Sequence, residues 1–218
     1  CYYTISSNIE TNCIKIHFSR RSKFGLIMKN NAIVLQDITK TFSANTVPFT
    51  ALKGVSFEIA EGSCTIIGGA NGSGKSVLMS IIAGLTNQTS GKITTSQKVG
   101  LIFQDADMQL IGETPEEDIG FSLKNKIKNR KEITDKTLLV LEKTGLAHRK
   151  AFPARFLSGG EKRRLAVASM LALDCPILIF DEPYANLDYT GIKQVNNCIK
   201  MLKEQGYTLL ILTHELEK

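Results

Sequence analysis

Apolar positions along the chain change their period several times, and the changes mark out elements. From Met28 the run MKNNAIVLQDITKTF carries a strand-like alternation, and Ile33–Ile38 and Val55–Ile59 read as two strands separated by a turn-rich stretch containing Pro48. An antiparallel sheet is the expectation. The apolar run Ser63–Ile67 ends abruptly in glycines, after which Val77–Ala83 reads as a helix closed by Gly84. Further on, Lys162–Leu173 is strongly helical, while Ile177–Phe180 and Leu209–Leu212 are continuous apolar runs of strand length with interior character. Strand and helix patterns succeed one another without internal repeat or low-complexity linker, so a mixed α/β domain is predicted. No apolar run approaches the roughly 20 residues needed to span a bilayer. Any membrane crossing in its work would belong to another chain.

The 218 residues are 43% hydrophobic and 22% charged, a globular balance that excludes disordered, collagen-like and disulfide-scaffold classes. The net charge of +6 is unevenly placed: Lys15, Arg20, Arg21 and Lys23 against Glu10 alone put +3 in residues 1–27. That stretch has no sustained period and lacks the basic, apolar, small order of a signal peptide. It is predicted to be upstream or fragmentary sequence, a disordered basic arm being the alternative, with the functional domain spanning 28–218. The remaining +3 is too weak to demand an acidic partner. Cys1, Cys13, Cys64, Cys175 and Cys198 are odd in number, scattered, and form no CxxC pair. Neither a disulfide framework nor a zinc site is indicated, and a reducing cytosol is the expectation; Cys64 and Cys175 border apolar runs as small buried hydrophobes.

The chemistry begins where Ser63–Ile67 runs into Gly68-Gly69-Ala70-Asn71-Gly72-Ser73-Gly74-Lys75-Ser76, a GxxxxGK[ST] motif between a strand and a helix. Glycines at 69, 72 and 74 let successive N–H groups turn inward around phosphate oxygens, because side chains there would collide with the ligand or forbid the needed φ values. The helix beginning near Lys75 adds the positive end of its dipole. Lys75 is expected to bridge β- and γ-phosphates and Ser76 to ligate Mg2+. Asp181 and Glu182 then end the strand Ile177–Phe180, at the edge where open α/β sheets bind ligands. Two adjacent carboxylates repel each other unless a cation is near. Asp181 is therefore assigned to holding Mg2+ through water, and Glu182 to orienting or deprotonating an attacking water. A third element, Leu157-Ser158-Gly159-Gly160-Glu161, opens the later helix. Ser158 and Glu161 satisfy a capping box, but the two glycines weaken a helix. They expose bare N–H groups, a second anion site about 90 residues after the first.

In order and type, these motifs resemble those of the nucleotide-binding subunits of ATP-binding cassette (ABC) transporters, from about Ala32 to the end of the chain. The resemblance implies a P-loop NTPase fold of the ABC type: a RecA-like core with an antiparallel β subdomain and a helical subdomain over about 105–160. It implies an ATPase whose subunits, alike or different, dimerise head to tail, each ATP lying between the glycine loop of one and the LSGGE helix of the other. Gly69, Asn71, Gly72, Gly74, Lys75 and Ser76 then become ATP contacts, with Ser158, Gly159 and Gly160 reaching the γ-phosphate across the dimer. Gln104 matches the loop glutamine that senses Mg2+ and couples to the membrane partner, Asp188 the loop that crosses the dimer, and His214 the switch histidine that contacts γ-phosphate and positions the water. Phe42 stands where the family usually stacks an aromatic on adenine, a core phenylalanine being the alternative.

Two positions depart from the pattern: Tyr184 replaces a small Ser or Thr, and Asn186 sits where Gly or Ala is common. Family members also continue through further strands and a helix after the switch histidine, so truncation after Lys218 is expected. The segment from Phe103 through Gln109 to Phe121 is similar to the ATPases of energy-coupling factor (ECF) and cobalt-type importers, which take up vitamins and transition-metal ions. The resemblance thus implies a membrane importer's ATPase, held at the cytoplasmic face by a separate integral membrane subunit and paired with a second ATPase subunit, with no nucleic acid as partner. The basic run Lys124–Lys131 reads as a solvated face, with contact to lipid headgroups or a coupling helix as the alternative. A soluble ABC ATPase working on nucleic acid or ribosomes is the competing function. The 54 positions from Gln104 to Ser158 cannot hold the long coiled coil of repair members, and only one cassette is present where translation members carry two. A non-hydrolysing regulatory module is disfavoured by Glu182 and His214 together.

Overall fold

The computed structural model describes residues 4–6, 15–18, 30–44 and 47–214. Two short strands, β1 (Thr4–Ser6) and β2 (Lys15–Phe18), lie in the stretch expected to precede the domain, and β2 pairs antiparallel with the first strand of the main sheet. The boundary placed at Met28 falls outside the described residues. The antiparallel pair that follows, β3 (Asn31–Ala44) and β4 (Val47–Ala60), is longer than its sequence suggests. Residues expected to form a turn around Pro48 instead prolong the ladder, with Thr41 opposite Thr50 and Ser43 opposite Pro48. The pairing survives through register shifts between Leu35 and Thr41, and Asp37 there has φ +51°. Pro48 is tolerated because β4 is an edge strand.

The rest of the chain alternates as predicted: β5 (Cys64–Gly68), α1 (Lys75–Ile82), β6 (Ser90–Thr95), β7 (Val99–Ile102), α2 (Pro115–Lys124), α3 (Arg130–Lys143), α4 (Gly159–Ala172), β8 (Ile177–Asp181), α5 (Tyr189–Glu204) and β9 (Thr208–Thr213). One sheet has the antiparallel order β4-β3-β6, and the main sheet has the order β1-β2-β5-β9-β8-β7, in which β5, β9, β8 and β7 are parallel. The period of two in β8 and β9 divides the interior. Ile177, Ile179, Leu210 and Leu212 share a core with Leu78 and Met79 of α1 and with the antiparallel sheet. Leu178, Phe180, Leu209 and Ile211 share the other with α4 and α5. Both faces of these strands are covered, which is why their sequences are continuous apolar runs rather than alternations.

The segment between β7 and α4 is helical, as expected. Helix α2 starts on Thr114, whose side chain accepts from the Glu117 N–H, with Pro115 in the first turn and acidic Glu116, Glu117 and Asp118 matching the dipole. Asn129 caps α3 in the same way. Lys124, Lys126, Lys128, Arg130 and Lys131 are all exposed around the α2–α3 connection, the solvated arrangement that their composition suggests. Among the described residues no helix is long and apolar enough to cross a membrane. Cys64, Cys175 and Cys198 are buried free thiols, and burial pushes the Cys198 thiol up to about 11, so it packs as a hydrophobe.

Candidate functional site

The four parallel strands end on one edge, and each end delivers a motif. Gly68 at the end of β5 lies opposite Thr213 of β9, Asp181 of β8 opposite Leu212, and Ile102 of β7 opposite Phe180. The glycine loop, His214, the Asp181–Glu182 pair and Gln104 therefore emerge side by side, where an open parallel sheet binds its ligand.

In the glycine loop, Gly72 and Gly74 have φ +79° and +88°, values that a side chain would strain. Gly74 is also the residue before α1, and a Cβ on it would lie 2.7 Å from the Ala51 carbonyl oxygen. Lys75 is buried to 6% exposure, and its Nζ donates to the carbonyls of Gly69 at 2.7 Å and Ala70 at 2.9 Å. The ammonium is thus drawn back over the loop. Ser73 is buried with its hydroxyl lacking a partner, whereas Asn71 and Ser76 are exposed. A concave run of backbone donors, a buried lysine and an orphaned hydroxyl fit a polyphosphate.

Asp181 lies beside this loop. Burial raises its carboxyl above the usual range; the Ser76 hydroxyl opposes the rise, Glu182 adds to it by repulsion, and Lys75 opposes it again. A hydroxyl and a carboxylate facing the phosphate cradle suit Mg2+, which takes few protein ligands and completes its shell with water and phosphate. The backbone turns sharply after Asp181: Glu182 has φ +48°, uncommon for a residue with a side chain, and its N–H donates to the Leu212 carbonyl at 3.2 Å. That turn aims the Glu182 side chain at His214, whose Nδ1 lies 2.6 Å from Oε2. The pair spans β8 and β9, 32 residues apart in the chain.

Gln104 is exposed, and the loop that carries it is closed by Gln109, whose amide donates to the Leu101 carbonyl at 2.9 Å and accepts from the Phe103 N–H at 3.2 Å. Gln104 lines a cavity of about 540 Å³ together with Gly159, Arg163, Asp181, Ala185 and Asn186. Helix α4 starts with the expected capping box, Ser158 and Glu161 each bonding the other's backbone N–H. The structure adds a second reason for its glycines. A Cβ on Gly159 would lie 2.8 Å from the Leu187 side chain, and one on Gly160 would lie 3.0 Å from Gly191 Cα. The helix start is pressed against the loop after β8 and against α5.

Among the described residues, no hydrogen bond joins Ser158, Gly159 or Gly160 to the glycine loop of the same chain. Asp188 caps α5, its Oδ1 accepting from the Gly191 N–H at 2.7 Å, and Tyr184 donates its hydroxyl hydrogen to Asn196 Oδ1 at 2.6 Å. Phe42 is 41% exposed on β3 and is not a core residue; Lys40 Nζ sits 4.9 Å from its ring centre. Sequence reasoning missed Arg163, which is buried to 5% exposure and bonded to the loops at both Gln104 and Ala185. It also missed Asp118, which accepts from the Ile111 and Gly112 N–H groups and from Ser169. An arginine in a helix carries no signal of burial, but Asp118 in a first helical turn, six residues after a glycine, offered a weak one.

A parallel sheet with a glycine loop, a carboxylate pair and a histidine at one edge, flanked by an antiparallel sheet and a helical segment, defines an ATP-binding cassette ATPase. The ABC transporter family matches residues 52–185, and the chain belongs to that family. It is 39% identical to the energy-coupling factor transporter ATP-binding protein EcfA1 of Mycoplasma mobile, over 81% of this chain and 70% of that protein. Its fold matches cbiO1 from Clostridium perfringens, described as part of the ABC transporter complex cbiONQ, with TM-score 0.75 and 31% identity over 86% of this chain and 80% of the other. The ATP-binding cassette MJ0796, solved as a dimer in a post-hydrolysis state with ADP and Pi, matches with TM-score 0.72 and 27% identity over 84% and 88%. ATP binding and hydrolysis, common to the family, are activities of this chain.

Proposed function

We propose that this ATPase energises a membrane importer of the energy-coupling factor type, with a vitamin or a transition-metal ion as cargo. It works at the cytoplasmic face as a dimer with a second ATPase subunit, docked on a separate integral membrane subunit. Likeness to EcfA1 and cbiO1 supports the transporter class, and the Glu182–His214 contact beside the phosphate cradle carries the catalytic reading.

Gly69, Asn71, Gly72 and Gly74 supply the backbone cradle, and Lys75 swings from the loop carbonyls to the β- and γ-phosphates. Ser76 and Asp181 would hold Mg2+, and Gln104, after the end of β7, is the third residue available to it. When bound, the ion neutralises charge developing on the phosphates. Glu182 orients and deprotonates the attacking water. His214 holds the Glu182 carboxylate through Nδ1 and contacts the γ-phosphate. Ser158, Gly159 and Gly160 serve the ATP seated on the opposite subunit, Asp188 lies in the loop between the subunits, and Phe42 offers a ring face to adenine.

The test is paired. Lys75→Ala is expected to abolish ATP binding measured by calorimetry. Glu182→Gln is expected to leave binding within about threefold while turnover falls by about a hundredfold or more. Normal turnover in Glu182→Gln would remove the catalytic assignment. Failure of the chain to co-purify with any integral membrane protein, when expressed from its native locus, would count against the importer.

A further inference from the structure

Arg163 lies in the first turns of α4 and is buried to 5% exposure. One of its nitrogens, Nη2, donates to the Gln104 carbonyl at 2.9 Å and to the Ala185 carbonyl at 2.8 Å. These carbonyls belong to different loops, 103–109 following β7 and 182–188 following β8. Among the described residues no other hydrogen bond links the two loops. The guanidinium Nε, by contrast, is buried without a partner. Burying a charged group with one donor unsatisfied is unfavourable, and simple packing at this helix position would be met by an apolar side chain. The two carbonyl bonds are what the burial secures.

Neighbouring contacts make the tie rigid on the helix side. Lys162 pairs with Asp107 of the first loop at 2.6 Å. Gly159 lies so close to Leu187 of the second loop that a Cβ would meet it at 2.8 Å. The cavity between the loops, about 540 Å³, is lined by Gln104, Asp181, Ala185 and Arg163 itself. The loops therefore have space to move, with Arg163 spanning it.

We propose that Arg163 is a positioning residue that couples the Gln104 loop to the loop carrying Glu182, Ala185 and Asp188, so that a displacement of one resets the other. It touches no reacting atom. It acts through the backbone of Gln104 and through Ala185, three residues beyond Glu182. The inference rests on the ATPase reading above and adds to it the route by which the two loops communicate.

Hydrogen–deuterium exchange on the full chain, with and without a non-hydrolysable ATP analogue, tests the coupling directly. In the wild-type protein the exchange of residues 103–109 and 184–188 is expected to change together on adding the analogue. Arg163→Met keeps an unbranched apolar stem but removes the guanidinium and with it both carbonyl bonds. In that variant the two segments should respond separately, with kcat about ten- to a hundredfold lower and the KM for ATP within about twofold of wild type. Arg163→Lys, whose ammonium can serve two carbonyls, should recover most of kcat. Independent responses of the segments in the wild type overturn the proposal, as does wild-type kcat in Arg163→Met. A wild-type chain that neither binds nor hydrolyses ATP overturns the function beneath it as well.

Discussion

Asp181 is the residue at which stability and function pull hardest against each other. Burial raises its carboxyl, so the folded state binds a proton more readily than the unfolded chain does. Such a group destabilises the fold while ionised, and the penalty is relieved as pH falls through the raised value. Asp181→Asn is therefore expected to be more stable than wild type at pH 7 to denaturant, without nucleotide. Its advantage should narrow on acidification, and its ATP turnover should be lost. A constant difference across pH would show that the carboxylate is not the source. Gly74 makes a similar point with the backbone. Its role beside phosphate is legible in the motif, since a glycine before Lys-Ser needs no tertiary knowledge. Its closeness to Ala51 is not legible, because that contact joins the start of α1 to a strand position 23 residues earlier. Gly74→Ala, with φ +88° and a Cβ 2.7 Å from that oxygen, should cost about 1–3 kcal/mol in denaturant melts in addition to any loss of ATP affinity.

Helix α4 shows how far an element can be read from its own residues. Ser-x-x-Glu announces the capping box, and the structure forms it. The glycines between read as exposed donors, but their packing on Leu187 and Gly191 depends on where α5 and the loop after β8 come to lie. The hairpin β3–β4 is misread for a related reason: Pro48 signals a turn, whereas its place on an edge strand spares it the missing donor. For α4 two outcomes follow. Gly160→Ala should destabilise the protein in thermal melts despite alanine's higher helix propensity, because a Cβ would meet Gly191 backbone at 3.0 Å. Burial alone would raise the Glu161 carboxyl, but the hydrogen bonds from Ser158 and the charge of Arg149 together outweigh it and hold the group below its usual value. The stability it contributes is then complete above the unfolded value of about 4.5 and lost as pH falls through the lower folded one. Glu161→Gln should accordingly be less stable than wild type at pH 7, with the gap closing below pH 4.

At the scale of the whole molecule, the parallel strands settle the arrangement by making each strand end a delivery point. Ile177–Phe180 and Leu209–Leu212 are legible as buried strands, and their motifs follow directly. Strands β1 and β2, of 3 and 4 residues, are not legible, since so few positions cannot establish a period and their pairing is set by the exposed edge of β5. What one chain does not do is bring its two anion sites together. Lys75, Asp181, Glu182 and His214 gather at the sheet edge, while among the described residues the start of α4 makes no hydrogen bond to that glycine loop. A helix N-terminus and bare glycine N–H groups that serve no phosphate in their own chain are complementary to a phosphate held by another copy. ATP would then be the adhesive between two chains, and hydrolysis would release them. Light scattering on Glu182→Gln with ATP and Mg2+ is expected to give about twice the 24.0 kDa mass of one chain. Without nucleotide, or with Lys75→Ala in the same background, the mass should stay at that of one chain. A Glu182→Gln protein that remains monomeric while saturated with ATP would mean that this chain does not close on a second copy of itself and that its partner is a different ATPase subunit.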